Sequence, residues 1–574
     1  MSVQIRRRSP VSDDHLPASI DPTLKQVYAV RGITTEQQLE RSAKALLHYK
    51  DMSGIDQAVS ILATALAEGK RIIIVGDFDA DGATSTALSM LALGMMGSKN
   101  HDYLVPNRFD FGYGLSPEIV NVAFEQGAQV IMTVDNGIAC FAGVERAKEL
   151  GITVLVTDHH LAAESLPIAD AIVNPNQPSC AFMSKNLAGV GVAFYLMLAL
   201  RAHLRQINWF SEHNITVPNL AELLDIVALG TVADVVPLDE NNRILVHQGL
   251  LRIRSDKCRP GIQALIDVAG RDKRKMVASD LGFVIGPRLN AAGRLDDMSM
   301  GIECLLTDSD YKAKQIAVEL DSLNRERREI EQSMQQEAVT ALENLQLSEE
   351  DMPHGLILYQ ADFHQGVIGI LAGRIKEKYF RPTIAFAHQD DAILKGSARS
   401  IPGVHIRDLL EELSSRYPGI IIKFGGHAMA AGLSIELAKL TEFTQRFTQL
   451  AEEHLAGQPL AGELISDGEI PASSMTLNFC QILKDAGPWG QGFPEPLFDG
   501  EFELVEQRIV GQKHLKMMLR LATGKLIDGI AFNVDTNIWP NTHCKRVELA
   551  YKLDINEFRG RTSLQFLIEG INPL

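Results

Sequence analysis

The sequence predicts a multidomain α/β protein: a doubly wound parallel-sheet domain, a long connecting helix, a second α/β domain and a C-terminal β-barrel such as an OB-fold. Three observations predict it. Apolar runs rich in Ile and Val alternate with helical stretches over residues 46–240. Residues 310–346 contain neither Gly nor Pro and carry apolar residues at helical spacing. Short alternating segments joined by turns crowd the last hundred or so residues. With 574 residues the chain is too long for one core, and domains of about 100–200 residues suggest three or four. The expected divisions are a loosely attached polar extension (1–45), a first α/β domain (46–309), the connector (310–350), a second α/β domain (351–462) and the barrel (463–574).

Taken in order, RIIIVGDFDADG (71–82), AQVIMTVDNG (128–137) and ITVLVTDHH (152–160) each read as a continuous apolar strand ending in a polar cluster. Such runs suit a parallel sheet covered on both faces. In the connector, Ile316, Leu320, Leu323, Ile330 and Met334 form one apolar stripe among charges. Arg327 interrupts that stripe, which favours a helix joining two domains over a coiled-coil dimer. HGLILYQ and PTIAFAH are strands around the helix GVIGILAGRIKEKY, and FDGEFELVEQRIV, HLKMMLRLA, KLIDGIAFNV, RVELAYKLDINEFRG and TSLQFLIEGI supply the barrel.

Composition narrows the function. The net charge of −17 argues against a uniformly basic nucleic-acid binder, although metal-bound carboxylates and a local basic groove are compatible with it. Six cysteines (Cys140, Cys180, Cys258, Cys304, Cys480, Cys544) are dispersed with no CxxC, which excludes a simple zinc ribbon and points to reduced thiols in a cytoplasm. No apolar run approaches the roughly 20 residues of a membrane span. MSVQIRRRSP lacks the apolar stretch of a signal peptide.

Asp77, Asp79 and Asp81 alternate along the segment after the first strand, so their carboxylates converge and repel strongly unless cations sit among them, a solvated acidic loop being the alternative. Gly82 then permits a sharp turn into a helix. An EF-hand is excluded because its twelfth position, counted from Asp77, is Leu88 rather than Glu. Asp135 ends the second strand, and Asp158, His159 and His160 end the third, where ligands gather in doubly wound sheets. Asp234 in LGTVADVVPL is a further candidate. Carboxylates with imidazole and no thiolate suit two Mn²⁺ or Mg²⁺ ions, able to support phosphoryl chemistry.

DFDADG, VDNG, DHH and ADVVPL, in this order, resemble the four motifs of the DHH phosphoesterase superfamily. GPRLNAAGR (286–294), KGSARS (395–400) and FGGHAMAAG (424–432) are similar to the RecJ family within it, the last two lying in the part called DHHA1. The resemblance covers about residue 45 to the end. It implies a single-strand-specific 5′→3′ DNA exonuclease that releases 5′-mononucleotides. Asp77 and Asp79 would hold one ion, Asp81, His159 and Asp234 the other, with Asp135 between them. His160 would face the scissile phosphate, and Asp158 would orient the His pair or its loop. Where the family often has a His before the first Asp pair this chain has Val75, and Asp77 supplies the ligand. Arg108, Arg288, Ser397 and Arg399 look like the phosphate-binding group, with Tyr113, Asn290, Arg294 and His427 as further DNA contacts. Phe109, Phe111 and Tyr113 alternate, as rings stacking on bases or a strand packing its apolar face would both require.

The resemblance further implies a monomer acting in recombination, repair and mismatch repair with single-strand-binding protein and a RecQ-type helicase. The expected source of single-strand selectivity is a channel too narrow for a duplex. Alternatives are a DHH phosphodiesterase of short oligoribonucleotides or cyclic dinucleotides, a pyrophosphatase, and a non-catalytic replication scaffold. Length disfavours the first two and the intact motifs disfavour the third.

Overall fold

A computed structural model describes residues 4–106, 114–163, 165–344, 352–456, 462–536, 538–558 and 560–574. The chain divides into two compact units, Arg7–Asn324 with Ile465–Leu574, and Met1–Arg6 with Arg325–Leu464. Among the described residues no helix is long and apolar enough to cross a membrane.

The first unit holds a five-stranded, all-parallel sheet: β1 (Ile72–Val75), β2 (His101–Leu104), β3 (Val130–Val134), β4 (Thr153–Thr157) and β5 (Ala171–Val173). β1, β3 and nearly all of β4 are buried, as their unbroken apolar runs require of a sheet covered on both faces. The strand order is β2-β1-β3-β4-β5. The chain thus leaves β1 for an edge, returns past it, and opens a crevice between the C-terminal ends of β1 and β3. Ligands bind at such a reversal of strand order. Helices Ala80–Met95, Gly189–Gln206 and Leu224–Ala233 pack against one another beside this sheet, and most of their residues are buried.

The same unit carries a closed five-stranded barrel of β11 (Phe498–Val510), β12 (His514–Arg520), β13 (Leu526–Ala531), β14 (Arg546–Phe558) and β15 (Arg561–Pro573), ordered β11-β12-β13-β15-β14. Only the β13–β15 pairing is parallel. Strand alternation fills the interior with Phe502, Leu515, Met517, Leu519, Tyr551 and Phe566.

Residues expected to be a loosely attached extension are instead packed. Leu16, Leu24, Val27, Tyr28 and Ile33 join the main hydrophobic core. Helix Pro22–Ala29, capped by Asp21, presents Leu24, Val27 and Tyr28 on one face. The Tyr28 hydroxyl donates to the Ala486 carbonyl at 2.9 Å, and its ring stacks on Phe493. Arg31 forms a two-pronged pair with Asp467, 2.8 Å at each contact, and both side chains are buried. Arg8 meets the same carboxylate at 3.3 Å. A polar, Pro- and Asp-rich stretch can be held this way because its few apolar residues share a face and its charges are paired.

The helix expected over 310–346 spans Asp310–Asn344 and contributes to both units. Ala313, Ala317 and Leu320 lie in one core, and Met334, Ala338 and Val339 in another. Arg327, which breaks the stripe, is buried against Glu331 at 2.6 Å, so a charged pair rather than a dimer seam occupies that position.

The second unit is built on a mixed sheet of β6 (Leu356–Tyr359), β7 (Thr383–His388), β8 (Ile393–Arg399), β9 (Lys423–Gly426) and β10 (Ala430–Glu436), ordered β9-β10-β8-β7-β6. Only β6 and β7 run parallel; the other pairs are antiparallel.

Candidate metal centre

β1 ends at Val75, and the chain turns through Asp77, Phe78 and Asp79 into helix Ala80–Met95. Asp79 caps that helix by accepting the Gly82 N–H at 2.9 Å. β3 delivers Asp135, whose backbone lies in the left-handed region at φ 61°, a strained setting for a residue other than Gly. The Asn136 amide beside it donates to the carbonyls of both Val75 and Val134, tying the ends of β1 and β3 together at the crevice. β4 delivers Asp158, His159 and His160. Asp234 caps the C-terminus of Leu224–Ala233, followed by Val235 at φ 64°, a genuine outlier for a β-branched residue.

These side chains converge. Asp77, Asp79 and Asp135 form one group, and Asp81, His159 and Asp234 a second, each with donor atoms within 4.8 Å of one another. Asp135 also groups with His159 and His160. His159 Nε2 is 3.1 Å from Asp135 Oδ1, 3.5 Å from Asp234 Oδ2 and 3.9 Å from Asp81 Oδ2. That buried nitrogen makes no aligned hydrogen bond to any of them. A buried imidazole nitrogen aimed among carboxylates that also face one another fits a site for divalent cations. Burial, reinforced by repulsion from neighbouring carboxylates, pushes Asp81 and Asp135 well above the ordinary range. Burial also raises Asp234, against the opposing pull of His159. Cations reverse that repulsion.

Asp81 is held from behind. Its Oδ2 accepts the Gly189 N–H at 2.6 Å and its Oδ1 the Val190 N–H at 2.9 Å, donors of the first turn of helix Gly189–Gln206. Such N–H groups have no partner within their own helix. Gly189 is needed there, because a Cβ would lie 2.6 Å from the Cβ of Asp135. Asp158 is fully inside: Oδ1 accepts from the His159 and His160 N–H groups at 2.7 and 3.1 Å, and Oδ2 from Ile138 at 2.9 Å. Burial works against its charge, but the His160 hydrogen bond and both imidazoles outweigh burial and hold its pKa down. For His160 burial is likewise overcome by Asp158, and its pKa is pushed up to about 9. Asn174 and Asn176 donate to the His160 and His159 carbonyls at 2.9 and 2.5 Å. Sequence reasoning missed these asparagines and the Gly189–Val190 amides. The NPN string after β5 and the Gly-Val-Gly helix start were the available signals.

The residues expected at DNA are distributed. Arg108 and Tyr113, with Phe109 and Phe111, lie outside the described residues. Arg288 is buried, its Nη2 2.8 Å from Asp321 Oδ1 and its Nη1 donating to the Val284 carbonyl at 2.6 Å. Asn290 accepts the Ala80 N–H at 2.8 Å, a contact with the metal loop that the sequence did not announce. Arg294 is half-buried on the same helix, Gly286–Leu295. In the second unit, Ser397 and Arg399 share one face of β8, with Arg399 Nη1 3.1 Å from Ser397 Oγ. A Cβ on Gly369, at the start of helix Ile368–Tyr379, would lie 2.9 Å from both Ser397 Oγ and Arg399 Nη2. Burial lowers the Arg399 pKa, and no carboxylate among the described residues opposes this. His427 is exposed in the β9–β10 turn, its N–H donating to the Ala430 carbonyl.

Three family models match: the DHH family N-terminal domain over residues 71–231, the DHHA1 domain over 353–453 and the RecJ OB domain over 466–570. The single-stranded-DNA-specific exonuclease RecJ of Escherichia coli is 60% identical over 573 residues, covering 100% of this chain and 99% of its own. The protein of that name from Bacillus subtilis is 32% identical, over 96% of this chain and 68% of its own. The crystal structure of Thermus thermophilus RecJ in complex with Mn²⁺ superposes with a TM-score of 0.83 at 28% identity, covering 100% of this chain and 80% of that one. With that identity over the full chain and all three domains in order, the chain belongs to the RecJ family.

Proposed function

We propose that this chain is a metal-dependent exonuclease that degrades single-stranded DNA 5′→3′ to 5′-mononucleotides. The observation that carries the reading is the pair of donor groups meeting at Asp135 in the crevice between β1 and β3. Full-length similarity to a single-stranded-DNA-specific exonuclease supports the substrate. Asp77 and Asp79 would hold one Mn²⁺ or Mg²⁺ ion, and Asp81, His159 and Asp234 the other, with Asp135 shared. Bound there, the ions supply Lewis acidity toward phosphoryl oxygens and counter-charge for the transition state.

The chain's own groups do the rest. His160, protonated through Asp158, presents Nε2–H to a phosphoryl oxygen and stabilises charge developing at the scissile phosphate. Asp158 fixes the ring and the loop that carries both imidazoles. Arg399 and Ser397 bind the 5′ phosphate, since a guanidinium offers parallel hydrogen bonds to phosphate. Arg294, His427 and Tyr113 contact the strand. The protein acts as a monomer in the cytoplasm, in recombination, repair and mismatch repair, with single-strand-binding protein and a RecQ-type helicase supplying the strand.

The test is digestion of a single-stranded oligonucleotide labelled at its 3′ end, with Mn²⁺ or Mg²⁺, beside duplex, RNA and the Asp81→Ala variant. Stepwise shortening that requires metal and wild-type protein supports the reading. Immediate release of the label as a mononucleotide shows the opposite polarity and removes it. Turnover of short RNA alone moves the assignment to an oligoribonucleotide phosphodiesterase.

A further inference from the structure

We infer that Asn290 is a positioning residue for the metal loop, acting through a single backbone amide rather than through DNA. The inference rests on the two-ion reading above. Ala80 lies between Asp79 and Asp81 and opens helix Ala80–Met95, so its N–H has no partner within the helix. Asn290, 210 residues away, accepts that N–H at 2.8 Å with its amide Oδ1. The acceptor is neutral, so it fixes the loop without adding a further anion to Asp77, Asp79, Asp81, Asp135 and Asp234.

A second contact from the same helix grips the loop three residues on. A Cβ on Gly293 would fall 1.8 Å from the Phe78 carbonyl oxygen, so the backbone of Gly286–Leu295 lies directly against the loop between Asp77 and Asp79. Within the loop a Cβ on Gly82 would meet the Asp77 carbonyl at 2.4 Å, leaving little slack. The Phe78 carbonyl and the Ala80 N–H alternate with Asp77, Asp79 and Asp81. Holding those two backbone groups therefore fixes the direction of all three carboxylates. Neither Asn290 Oδ1 nor Gly293 needs to touch an ion or the substrate to do so. Partners that orient metal ligands typically contribute 10–100-fold in metal affinity.

The experiment measures Mn²⁺ binding to the full-length, DNA-free protein by calorimetry or by loss of the free-ion EPR signal, together with KM for single-stranded DNA. Asn290→Ala should weaken Mn²⁺ binding about 10–100-fold and raise the Mn²⁺ needed for half-maximal cleavage equally, with KM for DNA unchanged. Asn290→Asp keeps an oxygen acceptor in the same place and adds an anion, so its Mn²⁺ binding should not be weaker than that of wild type. If Asn290→Ala does not fold, Asn290→Ser, one bond shorter, takes its place with the same expectation. A raised KM with unchanged Mn²⁺ binding would make Asn290 a DNA contact and overturn the inference. So would a lowered melting midpoint with unchanged Mn²⁺ binding, or an Asp variant as weak as the Ala variant. Asp135→Asn is the control: unchanged Mn²⁺ binding there removes the two-ion reading itself, whereas its loss beside an unaffected Asn290→Ala removes only this inference.

Discussion

Asp158 Oδ1 lies 2.7 Å from Nδ1 of His160, and the same oxygen receives the backbone N–H groups of both His159 and His160. One buried carboxylate therefore sets the ring, the charge and the loop at once. Asp158→Asn keeps the shape but removes the charge that holds the proton on His160. Its turnover should fall about 10–100-fold, as for other groups that orient a reacting side chain. His160→Ala should cost about 10²–10⁴-fold in kcat, with Mn²⁺ binding largely retained. Steady-state rates and metal titration of the two variants, side by side, check both statements.

Arg399 is half-buried without an opposing carboxylate among the described residues, next to Ser397 Oγ and the first turn of helix Ile368–Tyr379. A guanidinium kept in that state is suited to an incoming phosphate. Arg399→Gln should raise KM for 5′-phosphorylated single strands about 10–100-fold, from the loss of charge-assisted hydrogen bonds of about 1.5–3 kcal/mol each. The same variant should change KM for 5′-hydroxyl strands little. Competition between the two oligonucleotides reads the difference directly.

His247 gives the fold an acid limit. Burial, helped by the charges of Arg41 and Arg254, lowers its pKa to about 4 from an ordinary 6.5. The unfolded chain therefore takes up a proton near pH 6.5 that the folded chain refuses until about pH 4. Stability from this group is complete above pH 6.5 and is lost as pH falls toward 4. Because the ring is only half-buried, solvent screening reduces the effect to about 1 kcal/mol. His247→Gln should show a smaller drop in melting midpoint between pH 7 and pH 5 than wild type does.

Arg31 and Asp467 are a buried pair joining residues far apart in sequence. Removing Arg31 takes away a two-pronged charge-assisted contact and leaves Arg8, at 3.3 Å, as the charged partner of the Asp467 carboxylate, so Arg31→Met should destabilise the first unit by about 1.5–3 kcal/mol. Tyr28→Phe, which loses one hydrogen bond to Ala486, should cost about 1 kcal/mol. Denaturant titration ranks the two, and a reversed order would show that the Tyr28 hydroxyl rather than the ion pair fastens the segment.

The metal-ligand candidates were legible because chemistry and topology coincide in short strings. β1, β3 and β4 are unbroken apolar runs, and each ends in residues with no business in a core unless something binds them. What the strings could not reveal is the support around them. The Gly189 and Val190 amides that hold Asp81 are backbone groups, and every residue has one. The bond from Asn290 to Ala80 depends on a fold that brings together positions 210 residues apart. Asn290 therefore read as one more polar residue beside Arg288 and Arg294. The packing of residues 16–33 was hidden for another reason: Leu24, Val27 and Tyr28 make a stripe of a single turn, too short for periodicity to stand out from its polar surroundings.

That fastening has a consequence for biosynthesis. Tyr28 and Arg31 reach their partners only when Asp467, Ala486 and Phe493 exist, and Tyr28 and Ala486 are 458 positions apart. At about 5–20 residues per second the ribosome needs roughly 20–90 s to close that distance. Throughout that time Tyr28 and Arg31 lack those partners. A segment translated among the earliest is thus among the last to gain its full set of contacts.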